Sequence, residues 1–165
     1  MRLFIAINLS EQIKDALIDA QNEMYNHGVR GNYTPEENLH LTLAFIGEYP
    51  DPQVVLDALS DVEFMPFDIS LDGIGSFDDL WWAGIRDSVP LVVTARRIRR
   101  ALAERGIPFD RARFSPHITL IRKATGNMPG IRLREAGMIV ESFSLMRSDR
   151  GRSGMIYTEI GTRSD

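Results

Sequence analysis

His40-Leu41-Thr42-Leu43 and His117-Ile118-Thr119-Leu120 are two copies of one four-residue pattern in a chain of 165 residues. The chain has three histidines, and two of them carry Thr two places on with apolar residues at the second and fourth positions. Seven threonines make that coincidence roughly a 0.5% event. The spacing has a physical meaning, because residues i and i+2 of a β-strand point to the same face. Each copy therefore predicts a strand that turns an imidazole and a hydroxyl to one side and two apolar side chains to the core. The two strands are expected at His40–Gly47 and Pro116–Lys123.

Working outward, Met1–Leu9 predicts a strand that is apolar on both faces and so buried on both. Ser10 caps a helix with Ile13, Leu17, Ala20 and Met24 at helical spacing, and His27-Gly28 ends it. Val29–Leu39, with Gly31, Asn32 and Pro35, reads as a loop. Pro50-Asp51-Pro52 opens a second helix around Val54, Val55, Ala58 and Leu59. Strands follow at Phe67–Gly75 and Leu80–Arg86, joined by Phe77-Asp78-Asp79. Ser88 caps a third helix to Arg105, with Leu91, Val92, Ala95, Ile98 and Leu102 as its stripe. Gly106 closes that helix, and Ile107–Ser115 is a loop. Gly126–Gly137 reads as loop with a short helix at most. Two final strands, Met138–Arg147 and Met155–Gly161, flank a polar turn at Ser148–Gly154. Strands in adjacent pairs with helices between them predict an α+β fold with largely antiparallel sheets. No linker divides the chain, so residues 1–165 are expected to form one domain, and the repeated motif predicts two similar lobes.

Composition narrows the function. The net charge is −4 and the sequence pI about 5.4, so no global basic field holds long nucleic acid. There are 17 Arg against 2 Lys. Arginine presents a planar fork of donors that suits phosphate oxygens, so phosphate contacts are expected to be local. Cysteine is absent, which removes disulfides, thiolate nucleophiles and Cys-type zinc sites. No stretch reaches the apolar length of a membrane span, and Met1–Ser10 lacks a signal-peptide pattern, so a cytoplasmic protein is expected.

Two imidazoles and two hydroxyls facing one groove fit general acid–base chemistry on phosphorus. Histidine titrates near 6.5, so one copy can take a proton from water while the other gives one to a leaving alkoxide. The hydroxyls can hold non-bridging oxygens as charge builds. A 2′,3′-cyclic phosphate meets these needs. His-x-Thr is not a metal-ligand spacing, and no metal or other cofactor is expected. The residues alone leave open which histidine is acid and which is base.

On these residues the chain resembles the 2H phosphoesterase superfamily, and within it the RNA 2′,3′-cyclic phosphodiesterase (2′-5′ RNA ligase-like) family. The likeness covers Met1-Arg2-Leu3-Phe4-Ile5-Ala6, Pro35-Glu36-Glu37-Asn38 through His40-Leu41-Thr42-Leu43-Ala44-Phe45-Ile46-Gly47-Glu48, and Phe114-Ser115-Pro116-His117 through Arg122. It also covers Ser144-Leu145-Met146-Arg147-Ser148 with Tyr157-Thr158. The resemblance implies two mostly antiparallel sheets lining a central cleft, helices outside, and one motif per lobe (residues 40–43 and 117–120). It implies hydrolysis of an RNA or nucleoside 2′,3′-cyclic phosphate to a 2′-phosphate. His40 would then be the proton donor and His117 the acceptor, with Thr42 and Thr119 on the phosphate. The reverse reaction, 2′-5′ ligation, and RNA-end binding without turnover are the alternatives. The implied partners are RNA ends or cyclic nucleotides, with no membrane, and the chain is expected to be a monomer.

The remaining residues separate into site and scaffold. Where the family carries Arg-Trp, this chain has Gly31-Asn32-Tyr33-Thr34, and Tyr33 is expected to stack on a base. Phe114 is expected to line the cleft. Arg122 lies five residues after His117, the wrong parity for one face, so a phosphate contact requires a twist at the strand end. Phe4 and Phe45 are expected in the core and His27 at a helix end. Of Trp81 and Trp82, on opposite strand faces, one is expected in the core. Arg96, Arg97, Arg99 and Arg100 read as a solvated helix face.

Overall fold

The computed structural model describes residues 1–164. Among them the chain runs β1 (Arg2–Asn8), α1 (Glu11–Asn26), β2 (Arg30–Tyr33), a 3₁₀ turn (Glu36–Asn38) and β3 (His40–Glu48). It continues through α2 (Pro52–Ser60), β4 (Phe67–Phe77), β5 (Leu80–Ile85), α3 (Val89–Glu104) and β6 (His117–Thr125). β7 (Gly137–Val140), β8 (Ser142–Gly151) and β9 (Gly154–Ser164) complete it. A four-stranded sheet has the order β3-β1-β8-β9 and a five-stranded sheet the order β2-β6-β5-β4-β7. All their pairings are antiparallel. The α+β expectation holds.

Local chemistry starts the helices where the sequence placed them. The Ser10 hydroxyl accepts from the Ile13 amide and Ser88 from Leu91, satisfying donors that an isolated helix end leaves free. Ile13, Leu17 and Met24 of α1 join Leu3, Ile5 and Ile7 of β1 in the main core, with Leu91, Ile98 and Leu102 of α3. The other face of β1 packs separately, as Phe4 and Ala6 with Met146, Phe45 and Tyr157. β1 is thus buried on both faces, as its double apolar pattern predicts.

Three local expectations are corrected. Val29–Leu39 is not all loop: Arg30–Tyr33 pairs with β6, so β2 forms an edge of the five-stranded sheet. Met138–Arg147 is not one strand. The chain changes sheets at Glu141, with Val140 opposite Phe67 in one and Ser142 opposite Ser164 in the other. Ser148–Gly154 is mostly strand, because the β8–β9 ladder continues to the pair Gly151–Gly154. Gly126–Ala136 is loop, as expected, and forms no helix.

The two motif strands share a construction that positions the site. In β3, Ile5 pairs with Ala44 and Ala6 with Thr42, leaving Leu43 as an extra residue. In β6, Trp81 pairs with Ile121 and Trp82 with Thr119, leaving Leu120 extra. Each bulge puts two consecutive side chains inward, Leu43 with Ala44 and Leu120 with Ile121, all four buried. Alternation then resumes on the opposite parity. Phe45 rejoins the face of His40 and Thr42, and Arg122 rejoins that of His117 and Thr119.

Candidate active site

Strands β3 and β6 come together where the two sheets meet. A cleft of about 580 Å³ opens there, lined by His40, Thr42, His117, Thr119 and Arg122 among others. The sequence placed both motifs on strands, and the structure brings all four motif polar groups to one cleft. The bulge at Leu120, rather than a twist at the strand end, brings Arg122 to them. A larger hollow of about 780 Å³ between β4, β7 and the start of α3 contains no histidine.

Both imidazoles are held in the same way. His40 Nδ1 lies 2.6 Å from the Asn38 carbonyl oxygen, and His117 Nδ1 lies 2.7 Å from that of Ser115. A carbonyl only accepts, so Nδ1 must carry hydrogen in each ring, and Nε2 is left as the nitrogen that exchanges protons. His40 Nε2 lies 2.8 Å from Thr42 Oγ1. Asn38, buried, fixes this arrangement from behind: its side-chain amide donates to the Met155 carbonyl at 2.9 Å, tying the 3₁₀ turn to β9. Nothing in the sequence spacing pointed to Asn38 in this role.

Aromatic rings flank each histidine. The His40 ring centroid is 5.0 Å from Phe4 and 5.2 Å from Tyr157. The His117 ring is 5.3 Å from Phe77 and 6.3 Å from Trp82. Trp81 is in the core, while Trp82 forms a wall beside His117. Glycine is required at position 75, where a Cβ would come within 2.3 Å of the Trp82 ring. Phe45, expected in the core, is only half-buried and lines the cleft, with the Arg2 guanidinium 5.0 Å above its ring.

Two expected contacts are not brought to the cleft. The Tyr33 hydroxyl donates to the Val29 carbonyl at 3.0 Å, and its ring packs edge-on against Tyr25. Burial raises its phenol above the ordinary tyrosine value, so it remains a neutral donor. Phe114 packs against the core, with the Arg99 guanidinium 5.6 Å from its ring. That arginine also donates to the Ala112 carbonyl, so it braces a loop rather than forming an open basic face. In their place the cleft gains Arg2, Phe4, Phe45, Arg150 and Tyr157, contributed by β1, β3 and the β8–β9 hairpin.

Burial is the main reason His40 titrates below its ordinary value. The Asn38 carbonyl opposes the shift, while the charges of Arg122 and His117 add to it. The folded protein therefore prefers neutral His40. This contribution to stability is complete above the unfolded value of about 6.5 and is lost as pH falls through the lower folded value. Thermal melts from pH 7 down to 5 should show wild type losing more stability than His40→Gln. Parallel losses in the two proteins would remove His40 as the cause.

Two antiparallel sheets facing one cleft, with a His-x-Thr strand from each, define the 2H phosphoesterase fold. Residues 7–80 match the LigT like phosphoesterase family. The chain belongs to the RNA 2′,3′-cyclic phosphodiesterase family. The member from Escherichia coli K12 is 31% identical over 96% of this chain and 93% of its own length. The Geobacillus stearothermophilus member is 30% identical over 76% of this chain, a match spanning 43% of that relative. The crystal structure of E. coli LigT in apo form superposes with a TM-score of 0.85 at 28% identity, covering 99% of this chain and 96% of that one.

Proposed function

We propose that this chain hydrolyses RNA or nucleoside 2′,3′-cyclic phosphate to a 2′-phosphate, without a metal, using His40 and His117 as general acid and base. The observation that carries this is the matched pair of imidazoles, each with Nδ1–H held by a carbonyl two residues back and Nε2 left for proton exchange in a shared cleft. Water attacks phosphorus in line with the 3′ oxygen. His117 Nε2 takes a proton from that water, the bond from phosphorus to the 3′ oxygen breaks, and His40 Nε2–H protonates the departing oxygen. Thr42, Thr119 and Arg122 hold the non-bridging oxygens.

His40 must be cationic to act as acid, a state that its burial disfavours. The phosphate anion supplies the missing countercharge, so substrate binding and protonation of His40 support one another. No helix among the described residues is long and apolar enough to cross a membrane. We place the protein in the cytoplasm as a monomer of one domain with two lobes, one motif on each, acting on RNA ends.

The test is hydrolysis of adenosine 2′,3′-cyclic phosphate in EDTA, with the product read by phosphorus NMR. Turnover to the 2′-phosphate is the expected result. A 3′-phosphate product would reverse the leaving oxygen, and loss of turnover in EDTA would return the chemistry to a metal.

A further inference from the structure

We propose that the cleft binds a second phosphate, the one attached 5′ to the terminal ribose, between Arg2 and Arg150. This rests on the cyclic-phosphate reading above and specifies which form of that substrate the site is built for. Three arginines line the cleft, Arg2, Arg122 and Arg150, and one acid, Asp110. A cyclic phosphate diester carries a single negative charge, and Arg122, on the face of His117 and Thr119, is placed to meet it. Arg2 and Arg150 are left over.

They are left over among protein charges too. The ion pairs among the described residues join the Met1 amine to Glu48, Arg100 to Glu104, Arg105 to Asp61, Arg134 to Asp19 and Arg147 to Asp149. None includes a cleft arginine. Arg147, on the same strand as Arg150, is neutralised 2.9 Å from Asp149. Asp110 does not neutralise the pair by a direct contact: its carboxylate accepts from the Ala112 amide of its own loop at 2.9 Å. In a chain of net charge −4, uncompensated guanidinium groups gathered in one cleft make a local anion site.

Strand geometry places that site one step from the histidines. The His40 ring rests on Phe4, and Arg2 lies two residues further along β1, about 7 Å on the same face. Arg2 pairs with Ser148 on β8, and Arg150 follows Ser148 by two residues, so the two arginines border one patch. Tyr157, opposite Ser148, packs edge-on against His40 at 5.2 Å, and the Phe45 ring lies beneath Arg2, so aromatic rings adjoin both the histidine and a cation. Alternating guanidinium groups and rings suit a single-stranded backbone with its bases stacked. The chemistry of the end fixes which phosphate this is. With O2′ and O3′ both in the ring, the terminal ribose can carry another phosphate only at O5′.

Either a 5′-phosphorylated mononucleotide or an RNA strand supplies such a phosphate, and the experiment separates them. kcat/KM is measured at low salt for adenosine 2′,3′-cyclic phosphate, its 5′-phosphorylated form and the dinucleotide ApA ending in the cyclic phosphate. Wild type is compared with Arg2→Ala and Arg150→Ala. The dinucleotide is expected to exceed the plain nucleoside by about ten-fold or more, an advantage that shrinks with added salt. Each substitution should cost the dinucleotide several-fold more than it costs the plain nucleoside. An equal advantage for the 5′-phosphorylated mononucleotide assigns the site to any 5′ phosphate. An advantage of the dinucleotide alone assigns it to the strand. Equal kcat/KM on all three substrates, or an advantage that survives both substitutions, overturns the second site while leaving the hydrolase reading standing. No turnover of any of the three overturns that reading and this proposal together.

Discussion

His40→Ala and His117→Ala are each expected to lower kcat on a nucleoside 2′,3′-cyclic phosphate by about 10²–10⁴-fold, with a much smaller change in KM. The size follows from what each ring does. General acid or base assistance is made only in the transition state, whereas in the proposed mechanism Thr42, Thr119 and Arg122 would grip the phosphate before and during reaction. Removing a ring leaves the cleft one imidazole for two proton transfers, and its carboxylate, Asp110, accepts from the Ala112 amide of its own loop. The double variant should be little slower than the worse single one, because the two proton transfers serve one displacement at phosphorus and the loss of either already stalls it. Single-turnover rates of the three variants, with far-UV circular dichroism to confirm that they fold, provide the measurement. A loss below about ten-fold in either single variant would assign that histidine to binding.

Much of this site was legible in the sequence because alternation is a strict rule within an uninterrupted strand. His40 with Thr42, and His117 with Thr119, required only the two-residue period. Arg122 and Phe45 were not placed by that rule, because a bulge inserts one residue and reverses the parity beyond it. The apolar pairs Leu43-Ala44 and Leu120-Ile121 were visible as breaks in the alternation. A run of adjacent apolar residues also describes a doubly buried strand such as β1, so it does not identify a bulge by itself. Gly31 and Asn32 made β2 read as loop, since a four-residue edge strand owes its existence to its partner β6 rather than to local propensity. Tyr33 read as a free aromatic because its hydroxyl's partner, the Val29 carbonyl, is a matter of tertiary geometry. Arg2, Arg150 and Tyr157 lie far apart in the chain and meet only through the β1–β8–β9 ladders.

The assignment of acid to His40 and base to His117 predicts an asymmetry that a pH profile cannot reveal. Two coupled imidazoles give a bell-shaped rate whichever one starts protonated, and the two limbs belong to the pair. The lowered titration of His40 sharpens the difficulty, because burial disfavours the cationic form that this ring needs in order to act as the acid. A change of leaving atom separates the roles. With sulfur in place of the 3′ oxygen of the cyclic phosphate, the departing thiolate needs little protonation. Wild type and His117→Ala should keep their large difference on this substrate, since water must still lose its proton. His40→Ala should recover most of its deficit, on the order of 10²-fold relative to the oxygen substrate. Recovery in His117→Ala instead would exchange the two roles while leaving the geometry untouched. Recovery in neither would mean that His40 acts by holding the phosphate through its contact with Thr42 rather than by giving up a proton.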